Sequence, residues 1–65
     1  MTKQQAMVME LFNMVKEEAE YKKLSQGMAQ YTWKEAGWRY DFFTADGELK
    51  KAEGSNHREL IEVWF

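Results

Sequence analysis

The sequence has no cysteine and no proline, and it contains only four glycines and one histidine among 65 residues. Without cysteine, the chain forms neither a disulfide nor a thiolate metal site. It also lacks a run of about 18 apolar residues and a charged-then-apolar leader, so we expect neither membrane spanning nor secretion. The absence of cysteine suits a reducing compartment, and together these features predict a cytoplasmic location.

A strong charge of either sign is absent too, since the formal net charge is -2. No global positive field draws such a chain to a phosphate backbone or to anionic lipid. Hydrophobic residues make up 45% of the sequence and aromatic residues 15%, which is enough for a small aromatic-rich core. We therefore expect one folded domain that spans residues 1–65.

The first third of the chain is predicted to be one long amphipathic helix, from Thr2 to Gln26. Thr2 and Gln5 match the Ser/Thr-x-x-Glu/Gln capping box, which marks a helix start. Gly27 is expected to end the helix in the left-handed conformation. Apolar residues that recur with the helical period form the predicted core stripe: Val8, Leu11, Phe12, Val15 and Ala19.

A second apolar edge flanks this stripe on the predicted helix. Its members, spaced seven residues apart, are Met7, Met14 and Tyr21. Methionine commonly fills irregular gaps in a core, so one interpretation is that this edge is buried. The other interpretation is that the edge stays partly exposed and contacts a partner.

After Gly27 the apolar period changes from 3.6 to two, which predicts a three-stranded antiparallel meander. The predicted strands cover residues 29–35, 38–44 and 48–53. Ala36-Gly37 marks the first turn, and Asp46-Gly47 marks the second because Asp-Gly readily adopts the positive φ of tight hairpins. Lysines in the third strand mark it as an edge strand that is protected against further pairing.

The last ten residues carry two overlapping patterns. Asn56 followed by Glu59 is typical of a helix start, and a helix would place Leu60, Ile61 and Trp64 on one face. Alternation favours a strand instead, through Ile61, Val63 and Phe65. We favour the helix. The predicted fold is therefore α+β, with a long N-terminal helix packed on a three-stranded antiparallel β-meander and a short C-terminal element, a helix or else a fourth strand.

This order of elements resembles the double-stranded-RNA-binding domain. The matching positions are Tyr31 at the start of the first strand, Gly37 and Asp46-Gly47 in the turns, and Gly54-Ser55 before the last helix. The resemblance implies RNA binding through lysines at the start of that helix, where this chain has Asn56, His57, Arg58 and Glu59. The residues available for contact with nucleic acid are then Lys50, Lys51, His57 and Arg58.

The segment Gly54-Ser55-Asn56-His57 also resembles the Gly-Ser-x-His stretch of HicA-type mRNA interferases. In that family the histidine acts in RNA cleavage, so the resemblance implies a small ribonuclease that uses His57. From the residues alone, a single histidine has no evident partner for metal binding or for acid–base chemistry. We therefore predict no catalytic residue, no cofactor and no metal site, and we do not expect an enzyme.

Aromatic residues concentrate in the last thirty-five positions, and one helix cannot cover both faces of a three-stranded sheet. Some rings should be exposed, and exposed aromatics with arginine are typical anchors of protein interfaces. The interface candidates are Met7, Met14, Tyr21, Arg39, Phe43, Trp64 and Phe65.

The leading functional hypothesis is a small non-enzymatic protein-binding module. A regulator or inhibitor of the sort carried by phages and mobile elements would fit this description. Its partner is expected to be another protein or a second copy of the chain. The alternatives are a nucleic-acid-binding domain of double-stranded-RNA-binding type and a ribonuclease built on His57.

Overall fold

The computed structural model describes all 65 residues, which form one helix followed by five strands. The elements are α1 (Lys3–Val15), β1 (Glu20–Lys23), β2 (Met28–Glu35), β3 (Trp38–Ala45), β4 (Glu48–Ser55) and β5 (Leu60–Trp64). The strands pair in chain order as an antiparallel meander. The predicted α+β class is confirmed, but the sheet has five strands rather than three.

The capping box predicted at the start of α1 is present. Thr2 Oγ1 accepts a hydrogen bond from the Gln5 N–H at 3.0 Å, and Gln5 Oε1 accepts one from the Thr2 N–H at 2.7 Å. These bonds satisfy two backbone donors that the helix itself leaves without partners.

Replacing Thr2 with alanine should therefore destabilise the protein by about 1 kcal/mol, because the Gln5 N–H loses its acceptor. Thr2→Ser keeps the hydroxyl and serves as the matched control. Urea unfolding followed by circular dichroism measures both changes. Equal unfolding free energies for the alanine and serine variants would mean that the cap contributes nothing.

The prediction that this helix continues to Gln26 is wrong, since α1 ends at Val15. The segment after it is rich in glutamate and offers little apolar surface for a helix to bury. As a strand, residues 20–23 instead pair with β2, and the Tyr21 ring packs edge-on against Tyr31 at 5.2 Å. Gly27 does have a positive φ, of 75°, but it lies with Gln26 in the β1–β2 hairpin turn.

The prediction of a C-terminal helix is also wrong, because residues 60–64 form β5 and the alternating pattern prevails. Val63 is buried on the α1 side of the sheet. Asn56 still caps backbone donors, since its Oδ1 accepts from the N–H groups of Arg58 and Glu59, both at 2.8 Å. These bonds close the β4–β5 turn. With β5 paired beside it, β4 is not the predicted edge strand, and the edges of the sheet are β1 and β5.

The core lies between α1 and one face of the sheet. Its buried residues are Phe12, Val15, Phe42, Leu49 and Ala52. Phe42 is only 1% exposed, and its ring centroid lies 5.2 Å from that of Phe12. The opposite face of the sheet, which no other element covers, is called the outer face below. α1 has neither the length nor the apolar character that a membrane crossing requires.

Candidate protein-binding surface

The outer face is built by alternation along the strands. Because Phe42 points toward α1, its neighbours Asp41 and Phe43 point away from it, and the strand register extends this face across the sheet. Its central and β5-side residues are Arg39, Asp41 and Phe43 on β3, Lys51 and Glu53 on β4, and Leu60, Glu62 and Trp64 on β5. Charged and apolar side chains are thus mixed on one uncovered surface.

Lys51 is the centre of a group on this face that we call the outer-face cluster, which consists of Phe43, Lys51, Glu53, Glu62 and Trp64. Its Nζ lies 2.6 Å from Glu53 Oε1 and 3.7 Å from Glu62 Oε2. The same atom lies 4.5 Å from the centroid of the Trp64 ring and 5.7 Å from that of Phe43. The hydrogen bond to Glu53 raises the pKa of Lys51, so the ammonium group keeps its charge.

Trp64 is the most prominent aromatic side chain of the cluster, with 61% of its surface exposed. Its Nε1–H donates to Glu62 Oε2 at 3.3 Å, and Lys51 sits over its ring. Leu60, on the same strand face, is 62% exposed. The indole is held by these neighbours on one side, and its other side faces solvent. It can therefore bury apolar area against a partner with little further loss of side-chain freedom.

Asp41 organises the part of the outer face next to the cluster. Its Oδ1 accepts hydrogen bonds from Thr32 Oγ1 at 2.7 Å and from Gln30 Nε2 at 3.1 Å. Its Oδ2 accepts from Arg39 Nε at 3.0 Å. Burial alone would raise the pKa of Asp41, but the hydrogen bonds from Thr32, Gln30 and Arg39, together with the Arg39 charge, outweigh it and lower the pKa. This network holds β2 and β3 together and fixes the Arg39 guanidinium.

The seven interface candidates fall on two surfaces. Arg39, Phe43 and Trp64 share the outer face. The others lie on the helix side of the sheet: Met7, Met14, Tyr21 and Phe65. Tyr21 belongs to β1, so the predicted helical edge of Met7, Met14 and Tyr21 does not exist as one stripe. Phe65 lines a depression together with Met9 and Phe12, and its N–H donates to the Lys50 carbonyl.

An apolar cleft of about 390 Å³ opens between α1 and the strands β3 to β5. The main side chains that line it are Met7, Val8, Leu11, Trp38, Tyr40 and Ile61. Met7 on α1 is 63% exposed at its rim. The helix therefore covers the sheet incompletely, and apolar area remains on both sides of the molecule.

The residues proposed for nucleic-acid contact do not form one basic surface. Lys50 Nζ pairs with Glu48 at 3.1 Å and Lys51 with Glu53, near the start and middle of β4. His57 and Arg58 lie in the turn beyond its end. His57 does line a shallow depression with Lys34 and Arg39, although the Arg39 charge is already paired with Asp41. No group of three or more His, Cys, Asp or Glu side chains is placed to hold a metal ion.

Sequence reasoning missed two features of the outer face. Lys51 is a candidate only for nucleic-acid contact in the sequence, whereas in the structure it orients Trp64 and Phe43. The predicted C-terminal helix places Leu60 on a helix face, whereas Leu60 lies on the outer face of β5. Both features depend on the register of β4 and β5, in which Lys51 pairs with Trp64 and Ser55 pairs with Leu60. A C-terminal helix would not form these pairs.

No family model matches the chain, and no curated protein and no solved structure matches it either. The observed order, a helix followed by five strands, differs from the order of helix, three strands and helix that the double-stranded-RNA-binding resemblance implies. The function is therefore inferred from the surface itself.

Proposed function

We propose that the protein is a small non-enzymatic protein-binding module that binds its partner through the outer face. The observation that carries this proposal is Trp64, a largely exposed indole held in place by Lys51 and Glu62. Tryptophan is among the residues that most often dominate the binding energy of an interface. An indole oriented in advance also loses less conformational entropy on binding.

The charges around this indole indicate what kind of partner the outer face would bind. Lys51, Glu53 and Glu62 form a small group of mixed sign, and Arg39 lies on the same face. Such a surface matches a protein with its own polar rim better than a uniformly charged polymer. A small regulator or inhibitor would act in this way, by occupying a surface of its target. The cytoplasm remains the proposed location, because the chain carries no cysteine.

Affinity capture from the cells that make the protein tests this proposal. Trp64→Ala should lose the captured partner, with its affinity reduced at least about tenfold, because the alanine removes the apolar anchor. Met14→Ala is the matched control, since Met14 is 72% exposed but lies on α1. Equal capture by the wild type and by Trp64→Ala, or loss only in Met14→Ala, would contradict binding by the outer face.

The RNA-binding alternative is weaker because Lys50 and Lys51 are neutralised by neighbouring carboxylates. We expect no measurable binding to an RNA duplex of about 16 base pairs, the length that a double-stranded-RNA-binding domain spans. Fluorescence anisotropy at low salt measures it. Binding that weakens steeply as salt is added, and that is lost in Arg58→Ala, would support the nucleic-acid function instead.

A further inference from the structure

The free edge of β5 has a defined set of backbone groups that point away from β4. The Phe65 N–H donates to the Lys50 carbonyl and the Asn56 N–H donates to the Glu59 carbonyl, both at 3.0 Å. Glu59 and Phe65 therefore point their backbone groups toward β4, and by alternation Ile61 and Val63 do the same. The backbone groups of the remaining residues, Leu60, Glu62 and Trp64, point outward from the sheet.

The two edges of the sheet differ in how they resist pairing with another strand. β1 has four residues, Glu20-Tyr21-Lys22-Lys23, and three of them are charged. Short, charged edges of this kind discourage pairing. β5 has five residues, Leu60-Ile61-Glu62-Val63-Trp64, and only Glu62 is charged. β5 is thus the edge that is open to a further strand.

We propose that β5 pairs with β5 of a second copy, antiparallel, about a two-fold axis at Glu62. This register pairs all five residues of the strand. On the outer face Leu60 lies opposite Trp64 of the second copy, and on the helix side Ile61 lies opposite Val63 of the second copy. Apolar residues therefore meet apolar residues on both faces, which is the cross-strand pairing that stabilises a sheet.

Two features of the β5 edge oppose this pairing, a pair of like charges and a hydrogen bond already made to the edge, but neither prevents it. Glu62 lies opposite Glu62 of the second copy, but a Lys51 ammonium stands 3.7 Å from each carboxylate and offsets part of the repulsion. Gln5 Nε2 donates to the outward Trp64 carbonyl at 2.8 Å. A carbonyl oxygen accepts two hydrogen bonds, so the carbonyl can also take the Leu60 N–H of the second copy.

The accessible surface area of the single chain is consistent with association of two copies. The chain has an accessible surface of 4889 Å² for a mass of 7.8 kDa. A compact monomer of this mass is expected to expose about 4,400 Å², so roughly 500 Å² is in excess. That excess is of the order of the area each partner buries in a modest dimer interface. The pairing goes beyond the proposed function, because it uses the β5 edge and does not require a partner on the outer face.

A pair of substitutions at one position tests the dimer. Glu62→Pro removes an outward N–H and leaves the bonds to β4 intact, so dimerisation should weaken at least about tenfold. Glu62→Gln keeps the N–H but removes the like charges, so dimerisation should strengthen roughly twofold to fivefold. Sedimentation equilibrium over a range of concentrations measures both, and circular dichroism confirms that each variant is folded.

Hydrogen exchange of the wild-type amides gives a second readout that needs no variant. In the dimer, the amides of Leu60, Glu62 and Trp64 should become protected as the protein concentration rises. A monomer at every concentration overturns the proposal. So does a dimer that leaves these amides unprotected, or that persists unchanged in Glu62→Pro. Protection that appears only when a different protein is added also overturns it, because the edge would then take a strand from that protein.

Self-association of the purified wild type and capture of another protein are separate measurements. A wild type that stays monomeric at every concentration, but captures another protein through Trp64, would contradict only the dimer. A wild type that forms the dimer, but captures no other protein, would contradict only the proposed function.

Discussion

Replacing Phe42 with alanine is expected to unfold a large part of the protein population. Phe42 is the one large side chain that is fully buried, and it packs on the Phe12 ring between α1 and the sheet. Truncating a buried phenylalanine costs about 3–5 kcal/mol. A domain of this size has a total stability of roughly 3–10 kcal/mol, so the loss is comparable to the whole.

Phe43→Ala is the matched control for this prediction, because the adjacent phenylalanine lies on the partly exposed outer face. We expect it to cost only about 1 kcal/mol, since little apolar area leaves the core. Urea unfolding curves of the three proteins, recorded by circular dichroism, measure the difference. Similar losses for Phe42→Ala and Phe43→Ala would mean that the core does not lie on the α1 side of β3.

The second large effect is expected at Asp41. Asp41→Ala should destabilise the protein by about 2–3 kcal/mol, because hydrogen bonds to a charged acceptor are lost and their donors stay partly buried. The donors left without this acceptor belong to Gln30, Thr32 and Arg39. Glu17→Ala, at an exposed position after α1, should change the unfolding free energy by less than about 0.5 kcal/mol.

The same carboxylate makes stability depend on pH in a defined direction. The pKa of Asp41 is lower in the folded protein than its ordinary value of 3.8. The contribution of the ionised Asp41 carboxylate to the free energy of unfolding is therefore fully present above pH 3.8. It is lost as the pH falls through the lower pKa of the folded protein. The difference in unfolding free energy between the wild type and Asp41→Asn should shrink as the pH is lowered from neutrality to about 3. A difference that is constant over this range would contradict the lowered pKa.

The sequence predicts the second and third turns of the sheet correctly, whereas the length that it predicts for α1 is wrong. Ala36-Gly37 and Asp46-Gly47 adopt positive φ at both residues, as the hairpin prediction requires. Gln26-Gly27 does the same, so glycines recur at intervals of ten residues, at Gly27, Gly37 and Gly47. Regular spacing of this kind is typical of a meander, and it would have identified β1. The capping box and the apolar stripe gave the start of α1 but not its end.

The candidate site was harder to predict because it depends on pairing between distant residues. Lys51 contacts Trp64 only because β4 and β5 are neighbours in a particular register. In the last ten residues, the cap at Asn56 fits a helix and a tight turn equally well. Tertiary pairing of β5 decided between them, and local sequence carries little information about it.

Photo-crosslinking from the outer face tests whether this surface binds another protein. A photoreactive phenylalanine analogue at position 43 lies beside Lys51, and the same analogue at position 14 on α1 is the control. We expect position 43 to crosslink to another protein in cells, Trp64→Ala to abolish this product, and position 14 to give none. Crosslinking to RNA, or to protein from position 14 alone, would contradict protein binding by the outer face.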